Sequence, residues 1–192
     1  MRKLIASEWM TLDGVFDATT MKEWFLPYNS DEKLAYLQEN VRTSDAFLLG
    51  RVTYEMLAPH WSKMKNNEDG IADKLNSAPK YVVSSTLDKA EWNNSTIIKE
   101  NVVEEITRIK QQPGGNILIF GSATLVQSLM ESDLIDEYRF LVHPIIMGSG
   151  KRFFREGMVT TRLSPVKTKT LNHGVILDCY QPAKSQARAA QG

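Results

Sequence analysis

The sequence predicts an α/β domain with a mixed, mostly parallel sheet, helices on both faces and a C-terminal antiparallel hairpin. The apolar segments 46–49 and 117–120 are short and continuous, which is typical of strands buried on both faces of a parallel sheet. Stretches with helical periodicity alternate with such segments along the chain. Two late strands, 162–171 and 174–180, flank Asn172-His173-Gly174, a sequence that favours a hairpin turn.

The first strand is predicted over residues 4–12, since Asp13-Gly14 is a strong turn pair. A helix is predicted to start after Ser30, a suitable N-cap that Asp31 and Glu32 follow in the first turn. Its buried stripe is expected at the helically spaced apolar positions, which are Leu34, Leu37 and Val41.

The middle of the chain is less regular. The strand over 46–49 leads into a short helix over 52–57, which Pro59 is expected to help terminate. The polar segment 63–78 lacks a clear period and is predicted to be irregular. Short strands are predicted at the apolar segments that follow, 81–85 and 96–98.

Two helices and two further strands are expected ahead of the hairpin. Asn101 is the predicted N-cap of one helix, with Glu104 at the capping-box position. The next strand starts near Ile117, and Ser122 is expected to cap a helix that runs to about Glu131. Alternating residues predict a strand over 138–143, ahead of the two hairpin strands.

Composition limits the kind of protein. The chain has 192 residues, 42% of them hydrophobic, which suits one domain over 1–182; residues 183–192 lack apolar periodicity and are predicted to be a disordered tail. The 23 basic and 23 acidic residues balance, so no global field recruits nucleic acid or an anionic membrane. A single cysteine, the absence of a signal peptide and the lack of a ~20-residue apolar run favour a cytoplasmic protein with no membrane partner.

Several chemistries have little support. His60, His143 and His173 are isolated and lack paired cysteine or histidine spacing, so no metal site is expected. The sequence contains neither a Gly-x-Ser-x-Gly elbow nor a Walker motif. It also lacks the three glycines of a Rossmann fingerprint, so any nucleotide must bind in another geometry.

Two apolar strands end in glycine directly before a helix, at Gly50 and at Gly121. Backbone N–H groups at such a junction can approach an anion, which the positive end of the helix dipole favours. Arg51 adds a cation beside the first turn. Either junction alone is commonly a turn glycine followed by a helix cap. The pair predicts a shared groove for a nucleotide with several phosphates.

These motifs follow the order found in the dihydrofolate reductase superfamily: residues 50–55, then Ser84-Ser85, then residues 120–122. The chain more closely resembles the reductase domain of riboflavin-biosynthesis deaminase/reductases, as a stand-alone member. That resemblance rests on residues 11–14, 44–50 and 143–150.

The resemblance implies a dihydrofolate reductase-like three-layer fold and an NADPH-dependent reductase. Its substrate would be a small pteridine- or pyrimidine-like heterocycle, such as 5-amino-6-(5-phosphoribosylamino)uracil. The riboflavin enzymes carry an aspartate one helical turn after their Gly-x-x-Thr motif, and residues 56–59 hold no acid here. That difference disfavours the riboflavin precursor itself.

The resemblance also implies which residues contact NADPH. Arg51, Ser84 and Ser85 would hold the adenosine 2′-phosphate, for which a guanidinium fork is suited. Helix amides suit a pyrophosphate, which Thr53 and the turn from Gly121 would hold. The implied cofactor residues are Gly50, Arg51, Thr53, Ser84, Ser85, Gly121, Ser122, Ala123, Thr124 and Leu125.

The catalytic candidates are acids near the expected substrate. Asp31, with Glu32 beside it, could hydrogen-bond an amidine-like ring and help protonate it, and Trp24 could line the ring's pocket. Asp13 could face the substrate side of the cleft. Asp31 is equally suited to complement the helix dipole, and Asp13 to a simple turn.

Two other functions remain open. The protein could be a non-catalytic nucleotide- or ligand-binding protein on the same scaffold, or a dihydrofolate reductase proper. The resemblance also implies a homodimer, formed through the C-terminal hairpin region.

Overall fold

An eight-stranded mixed sheet forms the centre of the fold in the computed structural model, which describes residues 1–183. Within that range the strands are β1 (Leu4–Thr11), β2 (Ser44–Gly50), β3 (Lys80–Val83), β4 (Ser95–Ile98), β5 (Asn116–Ile119), β6 (Glu137–His143), β7 (Leu163–Thr170) and β8 (Ile176–Pro182). The α-helices of the same range are α1 (Met21–Trp24), α2 (Asp31–Arg42), α3 (Arg51–Trp61), α4 (Ala72–Ser77), α5 (Val102–Gln111) and α6 (Ala123–Glu131). Residues 184–192 of the predicted tail lie outside the described residues.

The strand order confirms the predicted architecture. The order is β4-β3-β2-β5-β1-β6-β8-β7. All pairs from β4 to β6 are parallel, whereas β8 pairs antiparallel with both β6 and β7. The carboxyl ends of six parallel strands therefore meet at one edge, which is where open α/β sheets bind ligands.

Helices cover both faces of the sheet, because alternate residues of the central strands point to opposite sides. On one face Ile117 and Ile119 pack with Ile106 of α5 and Leu129 of α6. On the other face Leu118 packs with residues of α2, α3 and α4, which include Val41, Tyr54 and Leu75. Among the described helices, none combines the length and the apolar character needed to cross a membrane.

Two predictions for the middle of the chain were wrong. Helix α3 continues through Pro59 to Trp61 instead of ending before the proline. Pro59 removes only the bond to the carbonyl four residues earlier, while Tyr54, Leu57 and Trp61 pack one helical face onto the core. The segment predicted to be irregular contains α4, where buried Leu75 supplies an anchor that the polar composition concealed.

The predicted helix caps had mixed outcomes. Ser30 Oγ accepts a hydrogen bond from Lys33 N, and Ser122 Oγ accepts one from Leu125 N, as predicted. The capping box at Asn101 was wrong. Asn101 has φ +50°, a left-handed conformation that asparagine tolerates, and its side chain caps nothing among residues 1–183.

Candidate functional site

The two glycine-ended strands lie side by side, so their junctions form one structure. Gly50 N donates a hydrogen bond to Gly121 O at 3.0 Å. A Cβ atom on Gly50 would lie 2.6 Å from Ser122 Oγ, so a larger residue requires movement. Gly121 has φ +67°, where glycine is favoured, and the peptide bond that follows it is cis. The structure thus brings the two junctions together, as predicted.

Helices α3 and α6 both begin at this contact and point their first turns into one cavity. The cavity has a volume of about 1190 Å³, above the ~300–1,000 Å³ typical of a site for one small ligand. Its lining includes Thr53 of α3 and Ser122, Ala123 and Thr124 at the start of α6. Gly50 caps α3 without a side-chain hydrogen bond. This end of the cavity therefore offers backbone N–H groups and two positive helix ends to an anion.

Aromatic side chains form the apolar walls of the cavity. Trp9 stacks on Phe25 with ring centroids 4.4 Å apart, and Trp24 meets Phe25 edge to face. Trp24, a predicted substrate contact, lines the cavity, and its Nε1 donates to the carbonyl oxygen of Asp17 at 3.1 Å. Phe16 and Phe120 also line the cavity, as do Phe47, Trp61 and Trp92. Flat apolar walls of this kind suit a planar ring.

Glu8 is a buried acid that the sequence prediction missed. It lies on β1, lines the cavity, and its Oε1 accepts a hydrogen bond from Gly121 N at 2.8 Å. Burial raises the pKa of Glu8 to about 8, against the opposing effect of the Gly121 bond. Glu8 is therefore mainly protonated at neutral pH and can donate a proton. A polar residue inside an apolar central strand was the available signal.

Lys33, which the sequence prediction also missed, lines the cavity beside His143. We call the part of the cavity formed by Lys33, Trp9 and Phe25 its floor. Its side chain donates from Nζ to Phe25 O at 3.0 Å, and Nζ is 3.4 Å from His143 Nε2. Burial lowers the pKa of Lys33 to about 8. Burial, with Lys33 nearby, lowers the pKa of His143 to about 4, so the imidazole is neutral at pH 7.

Helical spacing could have identified Lys33. It precedes Leu37 by four residues and Val41 by eight, so it shares their face of α2. Val41 is buried as predicted and Leu37 packs against the core, but Leu34 is 36% exposed. The prediction for Leu34 was wrong, because Lys33 and Asn40 occupy the buried face.

The predicted acids do not all meet in the cavity. Asp31 lines it with an exposed side chain. Glu32 instead accepts hydrogen bonds from Lys169 Nζ and Asn172 N, which lower its pKa. Within residues 1–183, neither Glu32 nor Asp13 belongs to the cavity lining.

Asp13 connects two loops. Its carboxylate accepts from Thr11 Oγ1 at 2.6 Å and from Gly148 N at 2.9 Å. The Thr11 bond is the main cause that lowers the pKa of Asp13 to about 2. Asp13 therefore holds the loop after β6 against the turn after β1.

The residues predicted for the 2′-phosphate lie one step beyond the glycine junction. Gly50 pairs with Val83, so Arg51 and Ser84 follow adjacent positions at the same sheet edge. Arg51 pairs with Glu55 at 2.8 Å on the exposed surface. Ser84 is buried and its Oγ accepts from Leu87 N, whereas Ser85 is exposed.

Sequence comparisons place this geometry among known proteins. The model of the RibD C-terminal domain matches residues 2–177. The uncharacterized protein YyaP of Bacillus subtilis (strain 168) is 28% identical over 185 residues, covering 93% of this chain and 94% of YyaP. YwjB, an uncharacterized protein of the same strain, is 30% identical over 177 residues, covering 92% and 96%.

Solved structures show that the fold is dihydrofolate reductase-like. A Shewanella sp. PV-4 protein named for riboflavin biosynthesis has a TM-score of 0.71 at 21% identity, covering 94% of this chain and 98% of its own. Acinetobacter baumannii RibD has a TM-score of 0.68 at 15% sequence identity, and the match covers 96% of this chain and 59% of the RibD chain. Enterococcus faecalis dihydrofolate reductase, complexed with NADP(H) and RAB-propyl, has a TM-score of 0.63 at 18% sequence identity. The match covers 94% of this chain and 96% of the reductase chain.

Replacing Glu8 by glutamine should change how stability depends on pH. The pKa of Glu8 is raised from 4.5 to about 8 in the folded protein. The folded state therefore binds an extra proton between these values, and stability contributed by Glu8 falls as pH rises through this window. Glutamine cannot ionise. The free energy of unfolding of Glu8→Gln should therefore fall less between pH 5 and pH 8.5 than that of the wild type, and the difference should be roughly 1 kcal/mol or more.

Thermal unfolding of both proteins at the two pH values measures this difference. Glu23→Gln, which alters an exposed glutamate outside the cavity lining, is the matched control and should follow the wild type. Equal pH dependence of Glu8→Gln and wild type would contradict the buried, protonated state of Glu8.

Proposed function

The chain belongs to the RibD C-terminal domain family, and on this basis we propose that it is a reductase that uses NADPH to reduce a small heterocycle. The observation that carries the proposal is the convergence of two helix N-termini at the Gly50–Gly121 contact, beside an aromatic cavity. The family and the dihydrofolate reductase-like neighbours support a reductase-like function. NADPH and the heterocycle are the proposed details.

The anion-binding end of the cavity fits the pyrophosphate of a dinucleotide. The first turns of α3 and α6 supply Thr53 and residues 122–124. The first N–H groups of α3, which have no side-chain cap, and the two helix dipoles favour two neighbouring negative charges at this position. The cavity volume of about 1190 Å³ leaves room for a second, smaller molecule.

Arg51 and Ser85 are assigned to the 2′-phosphate that distinguishes NADPH from NADH. Both are exposed at the sheet edge next to the glycine junction. The present partner of Arg51 is Glu55, and an exposed ion pair contributes only about 0–1 kcal/mol. A phosphate monoester can replace that partner, because it accepts bidentate hydrogen bonds from the guanidinium. Ser84 supports the turn that presents Ser85.

In the proposed reaction NADPH, when bound, supplies the hydride that adds to a C=N or C=O carbon of the substrate. The chain orients the two molecules against its aromatic walls and excludes water from the reacting atoms. The nitrogen or oxygen of the reduced bond must then gain a proton. We assign that proton to Glu8, because an acid with a pKa near neutrality is the more effective donor.

Glu8 Oε1 is occupied by the Gly121 N–H, so the transferable proton is held on Oε2. Asp31, the donor expected from the sequence, lines the same cavity with an exposed side chain. An exposed side chain does not shield a proton transfer from water as the buried Glu8 does, which makes Asp31 the weaker candidate for this step.

A homodimer is also part of the proposal. Strand β7 is at the edge of the sheet, and of the residues the structure describes, only β8 pairs with it. Val166 of β7 is 54% exposed, and an open strand edge readily pairs with another chain.

Light scattering should give twice the monomer mass, and Val166→Lys, which places a charge on this edge, should shift the mass toward the monomer. A monomeric wild type would contradict the proposed dimer.

Arg51→Ala should weaken the binding of NADPH and leave NADH binding unchanged. Loss of charge-assisted hydrogen bonds to the 2′-phosphate is expected to raise the Kd for NADPH about tenfold or more. Titration followed by tryptophan fluorescence measures both affinities. Arg42→Ala is the matched control, since Arg42 also pairs with a glutamate on an exposed helix but precedes the amino end of β2, whereas Arg51 follows its carboxyl end.

The same titrations separate the possible failures. An unchanged NADPH affinity, or equal weakening of both nucleotides, would contradict the assignment of Arg51. Absence of NADPH binding to the wild type would contradict the proposed function. Turnover is measured as NADPH oxidation with a panel of pterins and pyrimidinediones, and binding without oxidation across the panel would favour the non-catalytic alternative.

A further inference from the structure

The cavity floor holds an ammonium group without a carboxylate partner. Lys33 is only 5% exposed, and within residues 1–183 none of the ion pairs includes it. Its Nζ lies 3.5 Å from the centroid of the Phe25 ring and 5.8 Å from that of Trp9. Ring faces and one carbonyl compensate a buried charge less completely than a carboxylate does. This part of the cavity therefore favours a ligand that brings negative charge or an acceptor.

The hydrogen bonds of His143 and Lys33 show that the cavity floor presents a hydrogen-bond donor. His143 Nδ1 is 3.1 Å from the Met10 carbonyl oxygen, which only accepts, so Nδ1 carries the imidazole proton. Nε2 then has a free lone pair and accepts from Lys33 Nζ, and Phe25 O accepts a second Nζ hydrogen. An ammonium has three hydrogens. The third has no oxygen or nitrogen acceptor among the described residues.

Trp9 supplies a second donor without a partner. It lines the same cavity and stacks on Phe25, the residue whose ring and carbonyl contact Lys33. Its Nε1 is buried and has no acceptor in the part of the chain that the structure describes. A buried N–H without a partner costs about 1–3 kcal/mol. Because Nε1 is not exposed to the cavity, a ligand acceptor removes that cost only when the indole shifts on binding.

We propose that Lys33 and Trp9 determine substrate specificity by donating hydrogen bonds to an oxygen of the substrate ring. This inference rests on the proposed function in one respect, which is that the substrate ring binds at the cavity floor. The floor then selects a ring edge that presents acceptor or negatively charged oxygens. A ring edge of amino donors, which a carboxylate such as Asp31 would bind, is excluded because its N–H groups would face the Lys33 ammonium.

Two pteridines with opposite hydrogen-bonding edges test this selection. Pteridine-2,4-dione presents ring oxygens, whereas 2,4-diaminopteridine presents amino groups on the same ring system. Isothermal titration calorimetry, without nucleotide and with NADPH present, should show the dione binding to the wild type at least about tenfold more tightly than the diamine.

Variants connect the preference to the two donors. Lys33→Met should lose the preference, and Lys33→Arg, which keeps a cationic donor, should retain most of it. Trp9→Phe keeps an aromatic wall and should weaken dione binding about 3- to 10-fold. Lys22→Met removes an exposed lysine outside the cavity lining and is the matched control. Lys33→Met is expected to fold, because it removes a desolvated charge, and circular dichroism checks this.

A preference for the diamine, binding of neither ring, or a Lys33→Met variant that keeps the wild-type preference would overturn the inference. NADPH affinity should be the same in Lys33→Met and wild type, since Lys33 is not among the residues assigned to the cofactor. Failure of the wild type to bind NADPH would overturn the proposed function alone, because the pteridine comparison is also made without nucleotide.

Discussion

The hydrogen bond from Gly50 N to Gly121 O is the constraint on which the candidate site depends. It holds the ends of β2 and β5 together, and only glycine at position 50 permits Ser122 to approach so closely. Gly121 is fixed from a third strand as well, because its N–H donates to Glu8 of β1. Three neighbouring strands thereby set the positions of two helix N-termini and one buried acid.

The cavity combines two environments that the surrounding fold must stabilise. The end formed by α3 and α6 is rich in N–H groups, whereas the floor buries Lys33 and the wall buries Glu8. Burial shifts the pKa of both side chains toward their neutral forms, so each lowers the stability of the folded protein when charged. Local costs of this kind are typical of functional sites, and the apolar layers on both sheet faces offset them here.

Sequence reasoning succeeded where the physical cause is local. The apolar strands, the Ser30 and Ser122 caps and the glycine junctions depend on residues close in the chain, and the cavity contains the predicted Thr53 and Ser122. It failed at Pro59 because packing of Trp61 outweighs one lost hydrogen bond. Glu8 and Lys33 were missed because their burial arises only when β1, α2 and β6 come together.

A crystal structure of the protein with NADP⁺ bound tests most directly whether the two helix N-termini bind the cofactor. We expect the pyrophosphate to lie at the Gly50–Gly121 contact, within hydrogen-bonding distance of amides in the first turns of both α3 and α6. A pyrophosphate located away from these two helix N-termini, or bound by only one of them, would contradict this expectation.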